Sequence, residues 1–274
     1  MRCFLPRTTI TGQRRLPYFS LWNWLVRLTI TRTRWLPSIA KHPEQNVIRV
    51  TENFRKIQDL LAKAAADAGR PADHIRLLAV SKKKPLEAIL AAASAGQRDF
   101  GENFVQEGIS KIAACGRDDL TWHFIGHLQA NKTRAVAENF QWVHTVDRLK
   151  IARRLSQQRP EGVADLNICI EVNVDAEEKK SGVSPAELPD LAAAIAELPR
   201  LRLRGLMCLP AIRHDFDEQR KPFAALNAMS KALQASGLEL DTLSMGMSAD
   251  YAAAIHEGAT MVRIGTALFG ARQE

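Results

Sequence analysis

From residue 75 onward, short apolar runs alternate with Ala/Leu-rich stretches of helical length, and this alternation constrains the fold more than any other feature. The runs Ile75–Val80, Arg98–Gly101, Trp122–Ile125, Trp142–Val146, Leu166–Val174, Leu203–Leu209, Thr242–Met245 and Met261–Ile264 are predicted strands. Leu86–Ala95, Arg148–Gln158, Leu188–Leu198 and Phe223–Ala235 are predicted helices between them. Strand–helix alternation calls for a parallel sheet with helices outside it. Eight units point to a closed TIM-type (β/α)8 barrel in one domain, with a doubly wound open sheet as the alternative. Val50, Phe54, Ile57, Leu60, Leu61 and Ala64 recur at helical spacing, predicting a helix from about Glu44 to Gly69. The chain stops ten residues after the eighth strand, so this first helix is available to cover the barrel's seam.

Charge divides the chain. Eight basic residues lie between Met1 and Pro43, with no acid before Glu44; the remaining 30 Lys and Arg balance 30 Asp and Glu. The formal +8 therefore belongs to the first 45 residues, and a basic face for nucleic acid is not expected on the folded part, residues 46–274. Residues 1–45 are also rich in Trp and broken by Pro6, Pro17, Pro37 and Pro43, so they are expected to be poorly ordered. Three origins fit: a transit-type presequence, a basic anchor at a membrane surface, or, most plainly, a start site set too early. The apolar stretch Phe19–Val26 is too short to span a bilayer. Cys3, Cys115, Cys169 and Cys208 are scattered, the usage of a reducing compartment. A cytoplasmic protein is expected, or a mitochondrial one if the extension is a presequence, and a monomer or weak dimer.

Barrels of this kind place their chemistry at the C-terminal ends of the strands. The first strand leads into Ser81-Lys82, and period two puts Leu78, Val80 and Lys82 on one face. A lysine above the barrel core is partly desolvated, which favours the neutral amine that attacks a carbonyl. On its own, Lys82-Lys83-Lys84 reads better as a solvated charge run before a helix opened by Pro85. The other end of the barrel shifts that balance. Strand seven runs into Ser244-Met245-Gly246-Met247-Ser248, where Gly246 permits close backbone approach and Ser248 is a candidate N-cap for a helix from Ala249. Strand eight ends Arg263-Ile264-Gly265-Thr266, again with a glycine and a hydroxyl. Loops after strands seven and eight are the phosphate-binding position of this fold. Lysine plus phosphate loops suggests a phosphate-bearing aldehyde. His123 and His127 lie four apart, but no acidic or Cys partner follows at ligand spacing, so structural or rim roles are expected rather than a metal pair.

Across these residues the sequence resembles the pyridoxal-phosphate homeostasis family. The matching segments are Leu78–Lys82, Phe100–Asn103, Trp122–Gly126, Asn131-Lys132, Lys180–Gly182, Arg204–Met207, Ser244–Ser248 and Val262–Gly270, in order from about Val47 to the C-terminus. Departures are Lys83 where Thr is common, His127 where Pro is usual and Ala130 where Ser is usual. The resemblance implies a fold similar to the barrel of alanine racemase and pyridoxal 5′-phosphate (PLP) held as a Schiff base on Lys82. It implies phosphate contacts from Ser244, Ser248, Gly265 and Thr266 within the two loops that also hold Gly246 and Met247. It further implies Arg263 near the phosphate or the pyridine nitrogen, and Asn103 close to the cofactor. The implied role is a carrier or buffer in PLP homeostasis without established turnover, with apo PLP-dependent enzymes as recipients.

The alternative is a PLP-dependent amino-acid racemase on the same barrel. Such enzymes carry a β-rich second domain, for which no sequence follows, and a tyrosine acid/base, whereas Tyr18 and Tyr251 are the only tyrosines. An arginine beside the ring nitrogen would also leave it unprotonated, a weak electron sink.

Overall fold

The computed structural model describes residues 43–177 and 180–270. The expected basic extension over residues 1–45 lies almost wholly outside them. Among the described residues, eight strands close in sequence order into a barrel: β1 Arg76–Val80, β2 Asp99–Glu102, β3 Thr121–Phe124, β4 Trp142–Val146, β5 Leu166–Glu171, β6 Leu201–Met207, β7 Thr242–Met247 and β8 Met261–Ile264. Every pairing is parallel, and β8 returns to β1 with Arg263 opposite Leu78. The open-sheet alternative is thereby excluded.

The helices are α1 Pro43–Asp67, α2 Leu86–Ser94, α3 Val105–Cys115, α4 Thr133–Asn139, α5 Leu149–Gln158, α6 Leu188–Ala196, α7 Phe216–Ala235, α8 Tyr251–His256 and α9 Thr266–Phe269. α1 packs against α2, α8 and α9, so it covers the seam between the last strand and the first. The main core lies between barrel and helices. One face of each strand supplies Ala79, Phe100, Trp122, Val143, Ile168, Leu206, Leu243 and Val262 to the same cluster as Ile89, Val136, Ile151, Leu155, Ile195 and Phe223 of the helices. The other face points inward. Trp142, Cys169 and Met207 form a separate apolar cluster there, beside an unusually polar set comprising Asp99, His123, His144, Ser244 and Arg263.

Five local expectations change. β6 spans Leu201–Met207 rather than Leu203–Leu209. β5 ends at Glu171 rather than Val174, because Val172 bridges Val183 and the loop folds back through Asn173, whose side-chain N–H donates to the Glu177 carbonyl. α7 begins at Phe216 rather than Phe223, because Asp215 Oδ1 accepts the Glu218 N–H at 2.9 Å and caps it; buried Pro222 sits in its second turn. β7 runs on to Met247, so no helix begins at Ala249. α8 starts at Tyr251 with Asp250, not Ser248, at the N-cap position, and Asp250 Oδ1 accepts the Met247 N–H.

Candidate functional site

β1 stops at Val80, and the chain turns at once: the Lys84 N–H donates to the Ser81 carbonyl at 3.0 Å, bracketing Lys82. Lys82 is thus on a turn above the strand rather than on the strand itself. Lys83 has φ +57°, a left-handed conformation uncommon for a side chain with a Cβ. Its N–H donates to Glu107 Oε1 on α3. Lys111, one turn further along α3, reaches the Ser81 carbonyl at 2.6 Å, Glu107 Oε1 at 2.6 Å and Glu102 Oε1 at 2.8 Å. Ser81 Oγ donates to the same Glu102 oxygen at 2.6 Å. Glu102 is fully buried; burial pushes its carboxyl up, and the Lys111 and Ser81 hydrogen bonds offset that only in part. The Lys82 turn is therefore clamped from α3 and the end of β2.

Above the barrel lies a cavity of about 470 Å3 lined by Lys82, Asn103, Met247, Ser248, Arg263, Gly265 and Thr266, with Val80, Ile125, Met207, Leu209 and Ala249 supplying most of its apolar wall. That volume suits a small ligand. β1–β8 pairing is what brings Lys82 to Thr266, residues from opposite ends of the barrel sequence. Asn103 Oδ1 is buried without a hydrogen-bond partner at this cavity, so it is available to a ligand donor. Asn103 is held from behind by Gly126: a Cβ there would stand 2.2 Å from the Asn103 carbonyl oxygen.

Two predicted residues do not line the cavity. Gly246 lies beneath it with φ +91°, and a Cβ would meet the Ala254 Cβ at 2.6 Å, so its part is to let β7 turn closely over α8. Ser244 is fully buried inside the barrel, where its Oγ contacts His144 Nδ1 at 2.8 Å and accepts from Arg263 Nη1 at 2.9 Å. The expected phosphate contact from Ser244 does not fit that position; Ser244 holds Arg263 instead. Arg263 Nη1 also donates to the Ser244 carbonyl at 2.6 Å, and Nη2 to the Cys208 carbonyl at 2.9 Å.

A neighbouring cavity of about 360 Å3 shares Asn103, Ile125 and Leu209 with the first and adds Glu171, Thr145, Asn173, Lys180, Ser181 and His127. Glu171 is 5% exposed; burial, with Asp147 adding to it and Arg263 opposing, pushes its carboxyl up to about 7. Period two places Glu171 inward at the C-terminal end of β5 and His144 inward on β4, and neither is among the residues expected to form the site. His123 and His127 do not share a site: His123 is buried in the barrel, and His127 Nδ1 meets Ser181 Oγ at the rim.

The barrel carries a clamped lysine after its first strand and hydroxyl-bearing turns after its last two, all at one cavity. The model of the alanine racemase N-terminal domain family matches residues 46–273. An alanine racemase from Corynebacterium glutamicum shares the fold at 16% identity and TM-score 0.63, covering 81% of this chain and 60% of that one. Within that class, the chain belongs to the pyridoxal phosphate homeostasis protein family. It is 55% identical over 223 residues to the pyridoxal phosphate homeostasis protein of Pseudomonas aeruginosa, covering 81% of this chain and 96% of the relative. PipY of Synechococcus elongatus PCC7942, solved with PLP bound, is 37% identical with TM-score 0.71, covering 81% of this chain and all of that one, 100%. No helix among the described residues is long and apolar enough to cross a membrane.

Proposed function

We propose that this protein binds PLP covalently through Lys82 and serves as a carrier or buffer for it. The observation that carries this reading is the single cavity shared by Lys82, Arg263 and the two turns Met247–Ser248 and Gly265–Thr266. The residues present fit the group. Lys82 supplies an amine that condenses with an aldehyde carbon and releases water. Ser248 and Thr266 offer hydroxyls at the cavity, donors suited to a phosphate. Asn103 Oδ1 and Arg263 would offer an acceptor and a donor to polar atoms of the group, and the apolar wall would suit its ring. Bound in this way, PLP would supply an electrophilic carbon at which an incoming amine could displace the Lys82 amine. Apo PLP-dependent enzymes are the proposed recipients, and the free Cys115, Cys169 and Cys208 support a reducing compartment, the cytoplasm.

Titrating the full chain with PLP should raise a visible imine band to one equivalent, and Lys82→Ala should abolish the band. An undiminished band in that variant contradicts the reading. The racemase alternative is tested on the loaded protein with D- and L-amino acids: α-proton exchange at enzymatic rates would favour it over the carrier.

A further inference from the structure

The interior of a TIM-type barrel is ordinarily filled by branched apolar side chains. Here a chain of hydrogen bonds crosses it. Asp99 Oδ1, on the first residue of β2 at the barrel floor, meets His123 Nε2 at 3.0 Å; His123 Nδ1 meets His144 Nε2 at 2.9 Å; His144 Nδ1 meets Ser244 Oγ at 2.8 Å; Ser244 Oγ accepts from Arg263 Nη1 at 2.9 Å. His123, His144 and Ser244 are fully buried, and Arg263 is nearly so.

The proton positions follow from the charges at the ends. Burial raises the Asp99 carboxyl, but its hydrogen bond to His123 and the nearby Arg76 guanidinium outweigh that, so Asp99 is an anion and only accepts. Burial lowers His123 despite Asp99, and lowers His144 further with help from His123 and Arg263, so both rings are neutral. His123 must then carry its proton on Nε2 and accept on Nδ1. His144 must donate from Nε2 and accept on Nδ1, which the Ser244 hydroxyl supplies. The serine oxygen in turn receives the Arg263 proton. Any other pair of neutral tautomers leaves two lone pairs, or two protons, facing each other in a dry interior. Arg263 spends three of its five N–H donors on Ser244 and Cys208, leaving two for the cavity it lines.

We propose that Asp99, His123, His144 and Ser244 are positioning residues, a one-way relay that fixes Arg263 as an oriented donor at the cavity wall. The relay itself needs no ligand; its effect on cofactor rests on the PLP reading above.

The first test uses the unliganded wild-type chain, labelled with 15N-histidine, at pH 7. His123 and His144 should both appear as neutral Nε2–H tautomers. A Nδ1–H tautomer or a protonated ring at either position overturns the relay whether or not PLP binds. The second uses Asp99→Asn and Ser244→Ala. Asp99→Asn should move the His144 ring-nitrogen signals, although residue 99 does not touch His144, and should shift the visible band and weaken PLP binding about three- to tenfold. With Ser244→Ala already present, Asp99→Asn should add nothing to the PLP effect. If Asp99→Asn leaves His144 unmoved, or if the two losses simply add, the polar interior is packing alone. Correct tautomers in a protein that fails to bind PLP would overturn the PLP reading and leave the relay standing.

Discussion

The ammonium of Lys111 lies 2.6 Å from the carbonyl oxygen of Ser81, the residue immediately before Lys82. Together with Glu102 and Glu107 it ties the left-handed turn that carries Lys82 to α3. Lys111→Met should destabilise the protein by about 3 kcal/mol, since it leaves the Glu102 carboxylate buried and unpaired. It should also weaken PLP binding about tenfold. Adding Glu102→Gln should recover much of the stability and none of the affinity. Urea unfolding and PLP titration of the three variants read the two effects separately.

The phosphate turns predict selectivity. Thr266→Ala should reduce affinity for PLP about tenfold, the equivalent of roughly 1.4 kcal/mol for one hydrogen bond to a charged group. Affinity for pyridoxal, which lacks the phosphate, should be unchanged. Equal losses for both ligands, measured by absorbance titration, would place Thr266 away from the phosphate.

Gly126→Ala should damage the site through Asn103. The new Cβ would stand 2.2 Å from the Asn103 carbonyl oxygen, so the backbone of that residue must move. A stability loss of about 1–3 kcal/mol is expected from overpacking, with weakened PLP binding. Wild-type affinity in a folded Gly126→Ala protein would remove Asn103 from the site.

Glu171 predicts a pH dependence. Its carboxyl is raised in the folded protein from the ordinary 4.5 to about 7, so between those values the folded state binds the proton more tightly than the unfolded state. Its contribution therefore lowers stability as pH rises from about 5 to about 7, by roughly 2–3 kcal/mol in total. Glu171→Gln should be more stable than wild type above pH 7 and nearly equal to it at pH 5. Denaturant unfolding of the unliganded proteins across that range measures the difference, and parallel profiles would contradict it.

The barrel was legible because strand–helix alternation is a local signal, visible in runs such as Trp142–Val146 and Arg148–Gln158 that the structure reproduces within a residue. Errors arose where a local cue had two meanings. The apolar spacing starts a helix at Phe223, yet the Asp215 cap starts α7 at Phe216, with Pro222 inside it. Ser248 reads as an N-cap, yet Asp250 occupies that position. The lysine and both turns were legible as strand-end residues. The hydrogen-bonded interior was not: period two says that His144 and Ser244 point inward, but not that residues 100 positions apart meet across a closed barrel. Glu171 was missed for a related reason, since its shifted carboxyl depends on burial and on Asp147 and Arg263 from other elements.

The central claim is that Lys82 carries the cofactor, and reduction of the PLP-loaded protein with borohydride followed by peptide mapping tests it most directly. One pyridoxyl group is predicted, on the peptide containing Lys82. A pyridoxyl group on Lys83, Lys84, Lys111 or Lys180, with Lys82 unmodified, would contradict the account.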